Sequence, residues 1–159
     1  MSHFAPEHLD DLYARIQQEI DSGHSTAAQV AIGFEGAIVA QRSFGDAADD
    51  DTFVIYSATK PLVAMALLPH LADGTLELTA PAARYLPEFG HHGKADTTIL
   101  QLLTMQGGFP QAALWPDRWG TSEGRRAAFA EWTLGWASVT RTEYHPTSGH
   151  WVIAELIET

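Results

Sequence analysis

The feature that most restricts this chain is the apolar run over 61–68, which follows directly on Ser57-Ala58-Thr59-Lys60. Together with Leu71 it is apolar nearly all round, as a helix buried in a domain interior is, and it stops at Asp73-Gly74. A core helix is therefore expected here. Pro69 should bend it or end it early, because proline removes a backbone donor. The run falls far short of the ~20 apolar residues that cross a bilayer, so no membrane partner is expected. The fold is expected to bury this helix, with a serine and a lysine three positions apart at its start.

The neighbouring segments have readable periods. Leu9, Leu12, Tyr13, Ile16 and Ile20 recur at helical spacing, which predicts an amphipathic helix over about 7–22 with Gly23 just past its end. Two runs rich in Val, Ile and Phe, over 28–34 and 37–44, are separated by Glu35-Gly36, as the strands of a two-residue hairpin are. The acidic stretch 46–51 has the composition of a solvated loop, and Phe53-Val54-Ile55-Tyr56 is an extended run leading into Ser57. A short helix is expected over 98–106, capped by Thr97 or Thr98 and ended by Gly107-Gly108. The stretch 109–136 is less regular. Its Trp115, Trp119, Trp132 and Trp136 suit a pocket wall, although rings at such density more often pack a core. Trp151, Val152, Leu156 and Ile157 predict a helix beginning near Thr147 or Ser148, and that pattern is still running at Thr159.

Composition narrows the functions. A chain of 159 residues with 45% hydrophobic and 18% charged residues is an ordinary globular balance, and one domain is expected. Its net charge of -11 repels phosphate, which argues against nucleic acid or an anionic membrane surface as a partner. There is no cysteine, so neither a disulfide framework nor a thiolate metal site can form. The start, Met1-Ser2-His3-Phe4 followed by Glu7, Asp10 and Asp11, lacks the basic and apolar stretches of a secretion signal, and a cytoplasmic location is expected. His91-His92 with Asp96 is a weak metal candidate, because adjacent histidines point in different directions and no H-E-x-x-H spacing exists. Neither Gly107-Gly108 nor 90–93 carries a strand-to-helix phosphate fingerprint, so no cofactor is expected.

Ser57 and Lys60 can touch, since positions three apart share a helix face. A serine hydroxyl becomes a useful nucleophile when a neighbouring base takes its proton, and desolvation by the apolar helix would make Lys60 that base. The bland alternative is a surface lysine beside a capping serine. Against it, the chain has only two lysines, Lys60 and Lys94, and sets one at the mouth of its most apolar helix. Pro61 disfavours helical geometry at Lys60, so the helix should start tightly wound or start late.

The stretch 52–66, then Leu71-Ala72-Asp73-Gly74-Thr75-Leu76 with Tyr85-Leu86-Pro87-Glu88-Phe89, then Thr98-Ile99-Leu100-Gln101-Leu102-Leu103-Thr104 with Gly107-Gly108, resemble successive landmarks of the serine β-lactamase and penicillin-binding-protein family, in its class C and esterase-like branch. Tyr144-His145-Pro146 resembles the family's Tyr-x-Asn element. The resemblance implies an α/β (α+β) fold, an antiparallel sheet flanked by helices plus a mostly helical region. Within it, 1–56 would supply the N-terminal helix and hairpin, and 57–159 the helical region with the active-site motifs. It also implies catalytic roles for Ser57, Lys60 and Tyr144, the last as a phenol that shuttles the serine proton. Two departures stand out. Pro146 replaces the asparagine that would hold a substrate amide, and the family's Lys-Thr-Gly or His-x-Gly strand is nowhere in the sequence. The chain is thus expected to be the N-terminal portion of such a domain, completed by a C-terminal segment or a second copy. The expected activity is esterase-like hydrolysis, through an acyl-enzyme, of an ester or amide of a small acid. The alternatives are a β-lactamase or D-alanyl-D-alanine carboxypeptidase, and a non-catalytic binding or regulatory module that retains the acylation site.

Overall fold

A computed structural model describes residues 7–159, with the side chains of Glu7 and His8 left undescribed. The chain divides into two compact units, one ending at Val54 and the other comprising Ile55–Thr159. The first contains helix α1 (Glu7–Asp21) and the antiparallel pair β1 (Ala27–Phe34) and β2 (Ala37–Gly45). The hairpin turn lies at Glu35-Gly36 as the pattern predicts. Both residues are left-handed, with φ of 49° and 80°, the geometry that matches a tight turn to the twist of its strands. Side chains along β1 alternate between covered and open, and Phe44 on β2 is buried against Tyr13 of α1 with ring centroids 5.7 Å apart. Gly23, with φ of 74°, closes α1.

The second unit is helical. It comprises α2 (Thr59–Ala66), α3 (Leu68–Ala72), α4 (Ile99–Leu103), α5 (Ser122–Glu131) and α6 (Ser148–Ile157), joined by short 3-10 turns and loops. Its core gathers Leu67, Leu86, Phe89, Ile99, Phe109, Phe129 and Ile153, all nearly inaccessible. Thr98 caps α4 in a reciprocal capping box with Gln101, as expected of one of the two threonines. That helix ends sooner than Gly107-Gly108 suggests, because Met105 already turns left-handed with φ of 60°. The run breaks at Leu67, and Pro69 lies in the first turn of α3, where its missing donor ends the preceding helix early as expected.

The expectation that the run after Lys60 forms a core helix is corrected. No residue of α2 is fully buried; Val63 packs on the core while Leu62 and Met65 are 55% and 61% exposed, and beyond it Leu67 is buried but Leu68, the first residue of α3, is 55% exposed. Within its unit α2 packs chiefly on α6, so only one side of an all-round apolar helix is covered. Helix α5 lies inside the stretch read as irregular. Among the described residues no helix is long and apolar enough to cross a membrane.

Candidate active site

Ser57 sits in a 3-10 turn, Tyr56–Ala58, that runs into α2. The tension between Lys60 and Pro61 is resolved by this tight winding, which leaves proline in the first helical turn where a missing N–H costs nothing. Tyr56 has φ of 46°, a sparsely populated value for a tyrosine, immediately before the serine. The run read as extended up to Tyr56 is not so at its end: Ile55, with φ of -91° and ψ of 2°, has already left extended geometry, strained Tyr56 opens the 3-10 turn, and Ser57 is left exposed.

Lys60 Nζ lies 2.9 Å from Ser57 Oγ and 2.8 Å from Tyr144 Oη, and the two hydroxyls hydrogen-bond to each other. The three functional atoms close a cycle. Hydrogen bonding with Lys60 first, and then with Ser57, holds the Tyr144 phenol below its ordinary pKa. An amine and a phenol both in contact with one serine hydroxyl provide two groups through which its proton can leave.

Tyr144 is placed by the residue after it. The His145 ring is buried, with Nε2 accepting the Phe109 N–H at 3.1 Å and Nδ1 2.6 Å from the Glu143 carbonyl. That pairing assigns the proton to Nδ1 and locks the backbone on both sides of the phenol. Glu143 N–H donates to Met105 O at 3.1 Å, and Ser148 Oγ–H donates to Phe109 O at 3.0 Å. Gly149 lets α6 approach α4 closely: a Cβ there would stand 3.3 Å from the Leu102 carbonyl oxygen.

A mainly apolar cavity of about 320 Å³ adjoins this cycle, lined by Tyr56, Lys60, Val63, Pro146, His150 and Trp151 among others. Pro146, the residue that departs from the family motif, forms part of its wall. A second cavity of about 320 Å³ lies on another side of Lys60 and is again lined by His150, with Leu103 and Met105. His150 is half-buried, and its Nδ1 has no hydrogen-bond partner. Burial, and secondly the charge of Lys60, keep its pKa below the ordinary histidine value. The sequence reading did not single out His145 or His150, since a lone histidine has no local pattern.

The other candidates disperse. Trp132 belongs to the core, Trp115 and Trp119 are largely exposed, and Trp136 lines a separate cavity of about 500 Å³ with Arg141 and Glu143. His91 and His92 are exposed, their rings 6.4 Å apart and nearly perpendicular. Among the described residues no group of three or more acidic or histidine side chains is arranged to hold a metal ion.

A family model described as Beta-lactamase matches residues 12–159. Esterase EstB of Burkholderia gladioli is 38% identical over 96 residues, a match covering 54% of this chain and 24% of that protein. The solved structure of a family VIII carboxylesterase superimposes with a TM-score of 0.83 at 24% identity, covering 99% of this chain and 45% of the other. EstA from Arthrobacter nitroguajacolicus Rue61a gives a TM-score of 0.81 at 27% identity over 94% of this chain and 40% of the other. The fold is therefore the β-lactamase/transpeptidase-like one. The match spans about a quarter of the length of the curated relative, and the chain covers less than half of each of these two structures.

Proposed function

Because this chain belongs to the Beta-lactamase family, we propose that it carries the acylation centre of an esterase-like serine hydrolase. The supporting observation is the closed hydrogen-bond cycle of Ser57, Lys60 and Tyr144, drawn from two elements more than 80 positions apart. Ser57 Oγ attacks the carbonyl carbon of an ester or amide of a small acid, and its proton passes to Lys60 as a free amine. The tetrahedral intermediate collapses, the bond to the alcohol or amine breaks, and the leaving group takes its proton through Tyr144. Water then attacks the acyl-enzyme and releases the acid, returning the proton to Ser57 Oγ. Pro146 favours esters over β-lactams, since it has no amide side chain to hold a lactam substituent. The names of EstB and EstA point the same way.

Fluorophosphonate labelling followed by peptide mapping tests this reading. The expected adduct is on Ser57 and disappears in Ser57→Ala. Labelling of Ser122 or Ser148 with Ser57 untouched would overturn it.

A further inference from the structure

The proposed three-residue mechanism leaves one titratable group beside it without a task. His150 lines both of the cavities that flank Lys60, one with Val63 and Trp151, the other with Leu103 and Met105. Its Nδ1 is buried and has no partner, which is a costly arrangement for a ring that could form hydrogen bonds in water. The titratable groups lining the two cavities with it are Lys60 and the Tyr56 phenol, and Tyr144 is reached only through Lys60. Leu103 and Met105 bring no charge from the α4 side, and no carboxylate lines either cavity. A positive charge on His150 therefore meets no carboxylate among the residues lining the two cavities, and it faces the amine that becomes a cation on taking up the Ser57 proton.

We propose that His150 acts through Lys60 as an acid-sensitive switch on the nucleophile: neutral, it lets Lys60 take up the Ser57 proton; charged, it opposes that step. The inference rests on the reading of Ser57 as nucleophile and Lys60 as base. When Oγ bonds to the carbonyl carbon, the amine gains the Oγ proton and becomes an ammonium ion. A neutral imidazole leaves this new charge undisturbed. An imidazolium lining the same cavities repels it, and the proton transfer becomes harder. The positions of His150 on α6 and Lys60 on α2 make the switch part of the helix pair that carries the site. Burial sets its threshold on the acid side of an ordinary histidine.

The test compares the full chain with His150→Gln, which retains a polar side chain but cannot be charged. Acylation is followed by the nitrophenol burst from p-nitrophenyl acetate and by intact mass between pH 5 and 8. The ratio of wild-type to variant rates is expected to be constant at neutral pH and to fall by about tenfold through the acid range, the size of a one-unit like-charge interaction. A flat ratio overturns the switch. The His150 ring is also followed by NMR in wild type and in Lys60→Arg, which needs neither activity nor a histidine variant. Its titration midpoint should fall in Lys60→Arg, whose permanent charge stands where the proton-loaded amine would; an unmoved midpoint overturns the link between the two residues. Absence of any Ser57 adduct in the wild type would instead strike the serine-hydrolase reading, and the NMR result would still decide whether Lys60 governs His150.

Discussion

The hydroxyls of Tyr144 and Ser57, 87 positions apart in the chain, share a hydrogen bond, and Lys60 Nζ contacts both. The phenol is 52% exposed, so its hydroxyl contributes to this contact and little to the core. Tyr144→Phe should leave the unfolding midpoint near wild type and slow acylation by the ~10²- to 10⁴-fold range of lost acid-base catalysis. Lys60→Arg should slow it by a similar ~10²- to 10⁴-fold, because a guanidinium keeps the charge but cannot accept a proton. Both are read from the nitrophenol burst beside a thermal melt. Normal acylation by the arginine variant would show that Lys60 serves only as a charge.

How much of this could be read beforehand depends on the range of the signal. The hairpin was legible because two runs rich in Val, Ile and Phe and the Glu35-Gly36 between them are local, and α6 because Val152, Leu156 and Ile157 recur at near-helical spacing. Helix α5 was not, since its buried face consists of Arg125, Ala128 and Phe129, and a buried arginine reads as a surface residue. Ser57 and Lys60 were visible as a spacing, and Tyr144 through family resemblance. His150 has significance only because α6 packs on α2 beside Lys60. The open face of α2 was illegible because an all-round apolar helix does not specify which of its sides is covered.

Glu155 ties the C-terminal helix to α5. Almost wholly buried, it accepts hydrogen bonds from Arg125 Nε at 2.6 Å, Arg126 Nε at 2.7 Å and Ser122. Burial alone would raise its pKa; the hydrogen bonds from Ser122, Arg126 and Arg125 more than offset this and hold the carboxyl below its ordinary value of 4.5. A depressed carboxyl contributes stability that is complete above its unfolded pKa and is lost as pH falls through the lower native one. Urea unfolding should therefore show wild type losing its advantage over Glu155→Gln below about pH 4.5. At neutral pH the variant should be about 3 kcal/mol less stable, since buried Arg125 keeps only the exposed Glu158 carboxylate and Arg126 loses the charge it pairs with. Equal midpoints at neutral pH would show that the network contributes nothing.

Lys94 presents the opposite sign. It is wholly buried, donates to the His91 carbonyl at 2.7 Å and to the Trp132 carbonyl, and lies 5.6 Å from the Phe89 ring centroid. No carboxylate stands within ion-pair reach of it among the described residues. Burial pushes its pKa down from 10.5 to about 8. Below pH 8 the lysine is charged in both states, and folding bears the full cost of burying that charge. Between about 8 and 10.5 the unfolded chain binds more protons than the native one, so this residue makes stability rise with pH. Above that interval both states are neutral and the cost is gone. The gain is on the order of 1–3 kcal/mol, at about 1.4 per pK unit. Lys94→Met retains the length and apolar stem but cannot be charged, and other titrating groups are common to both proteins. The wild-type urea midpoint should therefore climb relative to that of Lys94→Met as pH is raised from 8 towards 10. Parallel curves over that interval would mean that Lys94 is fully charged in the native state throughout, held by the two carbonyls strongly enough to cancel its desolvation.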